Sequence, residues 1–144
     1  MLKLLVAVDG SAQSLKPIES LGQWTRRGVP LKIVLVNVLG SAPSAGEMPA
    51  EHRDAFKAAQ RRAQHRLLQE AESRALGCGV SLHGMLALEG PPAQEIVRAA
   101  TTQGVDLIVM GAHGSDAVGG GSLVPGSVAQ RVLCLAGHPV LLVP

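Results

Sequence analysis

The sequence predicts an α/β fold: a single doubly wound, five-stranded, mainly parallel sheet with helices on both faces. Three observations predict it. Short apolar runs alternate with segments of helical spacing along the whole chain, the mark of βαβ units. The runs are nearly all apolar rather than alternating, as expected of strands buried on both faces. The chain of 144 residues, 47% apolar and 17% charged, suits one domain over 1–144 with a substantial core rather than a disordered segment.

Each element has its own local reason. Residues 2–8 read Leu-Lys-Leu-Leu-Val-Ala-Val, a buried strand that Asp9-Gly10-Ser11 ends with turn chemistry. A helix follows over about 14–27. Pro17 is tolerated in its first turn, Ile18, Leu21 and Trp24 or Thr25 form the inward stripe, and Gly28 closes it. Residues 31–38 are the second strand, and the Ser-, Pro- and Gly-rich stretch 40–49 is a surface loop. A long helix spans about 51–76. Phe56, Ala59, Ala63, Leu67 and Ala71 recur at three- and four-residue steps and predict its inward face. Arg53, Lys57, Arg61, Arg62 and Arg66 fall mostly on the other side, as a solvated face. Gly77 and Gly79 stop this helix, and 80–88 is the third strand. Gly90-Pro91-Pro92 opens the next helix, with Ile96, Val97 and Ala100 inward and Gly104 at its end. Residues 107–110, 127–135 and 140–143 are the fourth strand, the last helix and the fifth strand.

Composition excludes several function classes. One Trp, one Phe and no Tyr leave no stacking platform for single strands. A net charge of +2 is too weak to hold DNA. No apolar run reaches transmembrane length, and the first is too short for a secretory signal. No nucleic acid and no membrane are therefore expected as partners. Cys78 and Cys134 stand in no ligand spacing and read as buried, reduced thiols of a cytoplasmic protein. His52, His65, His83 and His138 are scattered, so no protein-built metal site is expected.

The stretch that carries chemistry is Gly111-Ala112-His113-Gly114, after the fourth strand, with Gly126-Ser127 opening the last helix. Glycine lets the backbone approach a ligand, and a helix start offers unpaired N–H groups and the positive end of its dipole. Together they can cradle an anion, most often phosphate. In a doubly wound sheet, ligands bind beyond the carboxyl ends of the strands where the strand order reverses. If the first and fourth strands are neighbours there, Asp9 and the glycine loop meet on one rim. A Walker A loop is absent, since the last lysine is Lys57. The first strand turn holds only Gly10, not the three glycines of a dinucleotide fold. The second aspartate and the lysine of a phosphoacceptor receiver domain are also missing.

In this order the residues resemble the universal stress protein family, over essentially the whole chain. The match includes Val6-Ala7-Val8-Asp9-Gly10-Ser11, the run Val34-Leu35-Val36-Asn37-Val38, the stretch from Gly104 to Gly111, and His138-Pro139-Val140-Leu141-Leu142-Val143. Nucleotide-binding members carry Gly-x-x-Gly, nine residues, then Gly-Ser or Gly-Thr; here eleven residues separate Gly114 from Gly126. The resemblance implies an adenine nucleotide alpha hydrolase-like fold and a site for ATP, ADP or AMP, with Mg or Mn carried on the phosphates. By position, Ala7 and Asp9 would sit by the adenine and ribose, and Val38 would present its backbone to the adenine edge. Met110, Gly111 and Gly114 would line ribose and phosphates. Gly126, Ser127 and Val128 would bind phosphates through N–H groups and the Ser127 hydroxyl. The resemblance further implies a homodimer through Val140 to Val143 and a stress-response or regulatory role.

Each residue also has a plainer reading. Asp9 serves as the cap of the following helix, Ser127 as the N-cap of the last one, Met110 as core, and His113 as an exposed loop residue. The extra length lies at Gly119-Gly120-Gly121, and Pro125 removes one N–H before Gly126. Two more loop residues cost only about 0.2 kcal/mol of closure entropy. Ordering three glycines costs about 1 kcal/mol or more each, which weakens the triphosphate end most. No Lys or Arg occurs between Gly111 and Val128, so fast phosphoryl transfer is not expected. At most the loop supports slow ATP hydrolysis or autophosphorylation at Ser127 or Ser122. A dimeric interaction module without nucleotide is the remaining alternative.

Overall fold

The computed structural model describes residues 1–40, 48–113 and 125–144. Five strands, β1 (Leu2–Ala7), β2 (Leu31–Leu39), β3 (Ser81–Glu89), β4 (Leu107–Gly111) and β5 (Val140–Val143), form one sheet in the order β3-β2-β1-β4-β5. Every pairing is parallel. The helices are α1 (Lys16–Arg26), entered through a 3-10 turn at Gln13–Leu15, then α2 (Ala50–Gly77), α3 (Pro92–Gln103) and α4 (Ser127–Leu135).

The period of two within the strands divides the core into two halves. Leu4, Val6, Ile33, Leu35 and Val109 turn to one face, where Ile18 and Leu21 of α1 and Leu68, Ala71 and Ala75 of α2 cover them. Leu5, Val34, Val36, Ile108 and Met110 turn to the other, under Ala93, Ile96, Ala99 and Ala100 of α3 and Ala129 and Val132 of α4. This is the predicted doubly wound arrangement. β1 and β4 are neighbours, with Leu4 to Ala7 in register with Leu107 to Met110, so the strand order reverses between them. Gly104 ends α3 in the left-handed conformation at φ +60°, as its place in the sequence predicts.

Two expectations need correction. The buried stripe of α2 is Gln64, Leu68, Ala71 and Ala75, and Phe56 is 43% exposed. Ala59 and Ala63 are exposed as well. The reason is length. From Gln64 to Gly77 the helix rises about 20 Å, and β2 covers the same about 20 Å from Asn37 back to Leu31. Residues 50–63 rise about 21 Å beyond Gln64, most of it past the carboxyl edge of the sheet, where the core of the described residues asks for no apolar face. The second correction concerns the thiols. Both are free, but Cys78 is half-buried and Cys134 is exposed on α4.

Candidate functional site

The carboxyl ends of β1, β2 and β4 open into a cavity of about 580 Å³. Three local structures shape it. The first is the turn after β1. Val8 still donates its N–H to Val36 O at 2.9 Å, and the chain then leaves the sheet at Asp9. Asp9 Oδ1 accepts the Ser11 N–H at 2.8 Å and the Ser11 hydroxyl, a short side-chain turn. Gly10 takes φ +89°, open to glycine at no steric cost. Asp9 therefore holds the turn; it is not the N-cap of the following helix, a place taken by Leu15.

The second structure is the end of β4. A Cβ on Gly111 would stand 3.3 Å from both Gln13 O and His113 O, so only glycine lets these backbones approach without displacement. Ala112 donates to Val143 O at 2.8 Å, and Ala112 O accepts the Gly126 N–H at 2.7 Å. Residues 112 and 126 are thus pinned together.

The third structure is the start of α4. Gly126 is the N-cap, extended at ψ 167°, and Ser127 is the first helical residue; the expected N-cap role of Ser127 does not hold. The first backbone bond back to the cap is Gln130 N–H to Gly126 O at 2.9 Å. The N–H groups of Ser127, Val128 and Ala129 consequently have no intrahelical acceptor. All three residues line the cavity.

The structure brings the expected residues together. Ala7, Asp9, Val38, Met110, Gly111, Gly126, Ser127 and Val128 all line this cavity. Gly114 lies outside the described residues, as do Ser122 and residues 119–121. Met110 is 7% exposed and serves the core and the cavity wall at once. His113 is half-buried on the wall, not an exposed loop residue.

The sequence reading gave no site role to Asn37, Ser14, Leu67 or Ile96, which also line the cavity. Asn37 left a trace. It follows Leu31, Ile33 and Leu35 at period two on a buried strand, and it breaks their apolar series. No lining residue among those described is Lys or Arg. His83, on β3 away from the cavity, is held below its ordinary imidazole value by the nearby Lys3 and Lys32.

A doubly wound parallel sheet with an open, mostly apolar crevice at its switch point is a small-ligand binding architecture. Residues 1–144 match the model of the universal stress protein family, and the chain belongs to that family. A universal stress protein of Thermus aquaticus is 45% identical over 141 residues, covering 97% of this chain and 96% of that one. The structure of MJ0577 superposes with a TM-score of 0.81 at 23% identity, over 98% of this chain and 94% of that one. A universal stress protein solved in complex with cAMP superposes with a TM-score of 0.69 at 23% identity, over 99% and 95% of the two chains. One from Archaeoglobus fulgidus in complex with dAMP does so with a TM-score of 0.60 at 24% identity, over 100% and 98%.

Proposed function

We propose that this protein binds adenine nucleotides in the cavity at the switch point and acts as a stress-response or regulatory sensor. The observation that carries the reading is the joint lining of one cavity by the Asp9 turn and the open first turn of α4. Apolar walls from Val36, Val38, Ile96 and Met110 suit a base. The N–H groups of Ser127, Val128 and Ala129 suit a phosphate. Asp9 stands as an acceptor for ribose hydroxyls. The family relatives solved with cAMP and dAMP lend support, since both ligands are adenine nucleotides with a single phosphate.

The charge of the lining bears on which nucleotide is held. With main-chain donors and no lysine or arginine, added phosphates gain little, so AMP and ADP bind about as well as ATP. Mg or Mn is carried on the phosphates, as the family resemblance implies. The same lining offers no cation to a leaving phosphate, so turnover is slow or absent. β5 is an edge strand, and we assign it as the face through which two copies pair; sedimentation should then give twice 14.9 kDa.

The test is direct. Denature the purified protein, assay the supernatant for adenine nucleotide, then titrate AMP and ATP into stripped protein by calorimetry. Saturable heat in the micromolar range, about −8 kcal/mol of binding free energy, is expected. No co-purified nucleotide and no heat at millimolar ligand would discard the reading.

A further inference from the structure

Asn37 is a costly residue where it stands. It is 6% exposed, on the strand face otherwise built from Leu31, Ile33 and Leu35. Its Oδ1 is buried and, among the described residues, accepts no hydrogen bond. A buried orphan acceptor is unfavourable, and an apolar side chain of the same size would avoid it. What the residue does is visible at its other atom: Nδ2 donates to Val8 O at 2.7 Å.

That acceptor has a natural claimant. In a parallel ladder, alternate residues of a strand direct both backbone groups to the same neighbour. Val36 bonds to β1, accepting the Val8 N–H, and Ala7 is its register partner. Val38, two residues on, faces the same way, and the next bond of the ladder would be Val38 N–H to Val8 O. That bond is not formed; the ladder stops at the pair of Ala7 and Val36, and the Asn37 amide occupies Val8 O instead. On the other side β2 stays anchored. Gln64 Nε2 donates to Asn37 O at 3.1 Å and to Leu88 O at 2.9 Å, and Gly90 N–H donates to Leu39 O at 2.8 Å.

We infer that Asn37 is a positioning residue that truncates the β1–β2 ladder, keeping the N–H and C=O of Val38 open toward the cavity for the base of a nucleotide. A heteroaromatic edge with an adjacent acceptor and donor can pair with such a peptide unit, and adenine offers one. The ligand part of this inference rests on the nucleotide reading above; the ladder part does not. Asp9 benefits as well, because the bond to Val8 O fixes the residue from which the Asp9 turn departs.

The experiment has two arms. The first follows amide hydrogen exchange of Val38 by NMR in ligand-free protein. In the wild type this amide is expected to exchange fast beside slow amides at Val34 and Val36, and to slow on addition of AMP. In Asn37→Leu it is expected to become slow without ligand, because Val8 O is released to it. The second arm compares stability and affinity. Asn37→Leu is expected to melt no lower than the wild type yet to bind AMP about tenfold more weakly. A merely structural residue would lower both together. A slow Val38 amide in the ligand-free wild type overturns the inference without any variant having to fold. So does unchanged AMP affinity in a folded Asn37→Leu. If the wild type binds no nucleotide while Val38 still exchanges fast, the nucleotide reading fails and the ladder truncation stands.

Discussion

Asp9 both shapes a turn and faces the cavity, and a substitution can separate these. Its Oδ1 accepts two bonds from Ser11, and its side chain lines the cavity. Asparagine keeps an acceptor for the Ser11 N–H but loses the charge. Asp9→Asn is therefore expected to melt close to the wild type and to bind AMP about tenfold more weakly, near 1.4 kcal/mol. Asp9→Ala loses the turn as well and is expected to cost about 1 kcal/mol of stability in addition. Calorimetry and thermal denaturation separate the two, and full affinity in Asp9→Asn would remove the carboxylate from the site. At this scale the sequence was informative where a residue type is forced. Gly111 was legible because glycine after a buried strand signals close approach, and the neighbour that forces it is Gln13 O. The partner itself was not legible, since Gln13 comes close only through the tertiary fold.

Among the elements, α2 tests the argument from length. Its lower half faces the sheet and its upper half runs past it, so equal truncations should have unequal costs. Leu68 is 3% exposed and Phe56 is 43% exposed. Leu68→Ala is expected to destabilise by about 2–5 kcal/mol, and Phe56→Ala by no more than about 0.5–1 kcal/mol. Urea titration reads both, and comparable losses would mean that residues 50–63 are packed after all. The seam between α1 and α2 gives a sharper case. A Cβ on Gly22 would lie 2.8 Å from Cys78 Cβ and 3.0 Å from Cys78 O. Backbone cannot swing aside as a side chain does, so Gly22→Ala is expected to cost about 1–3 kcal/mol. A wild-type midpoint for that variant would show the seam to be loose. The helical period of α2 was readable, but its inward face was not. The apolar series from Phe56 to Ala71 continues correctly only at its lower end, and the true stripe includes Gln64, whose amide satisfies two strand carbonyls. A polar residue that earns burial through tertiary bonds does not show in a hydrophobic pattern.

Over the whole molecule, the reversal between β1 and β4 sets what a ligand can do to stability. Strand identities follow from local patterns, whereas strand order is set by crossovers that carry no local signal; the neighbouring of β1 and β4 could be posed from the sequence only as a condition. Given that order, the cavity draws Val38 from one half of the sheet and Met110, Gly111 and the start of α4 from the other. A nucleotide spanning it ties the two halves together, and both must stay folded for it to stay bound. Binding to the native state alone at about one hundred times the Kd adds about 2.7 kcal/mol. For a chain of this size each kcal/mol raises the melting temperature by about 2–4 °C, so a rise of about 5–10 °C is expected. AMP and ATP at equal concentrations should give about the same rise, since the excess phosphates meet no lysine or arginine among the lining residues. Hydrogen exchange should slow at the end of β2 and at the start of α4 alike. Slowing at one of them only, or a rise with ATP and none with AMP, would mean that the ligand is held by one half of the sheet and that the crevice is not bridged.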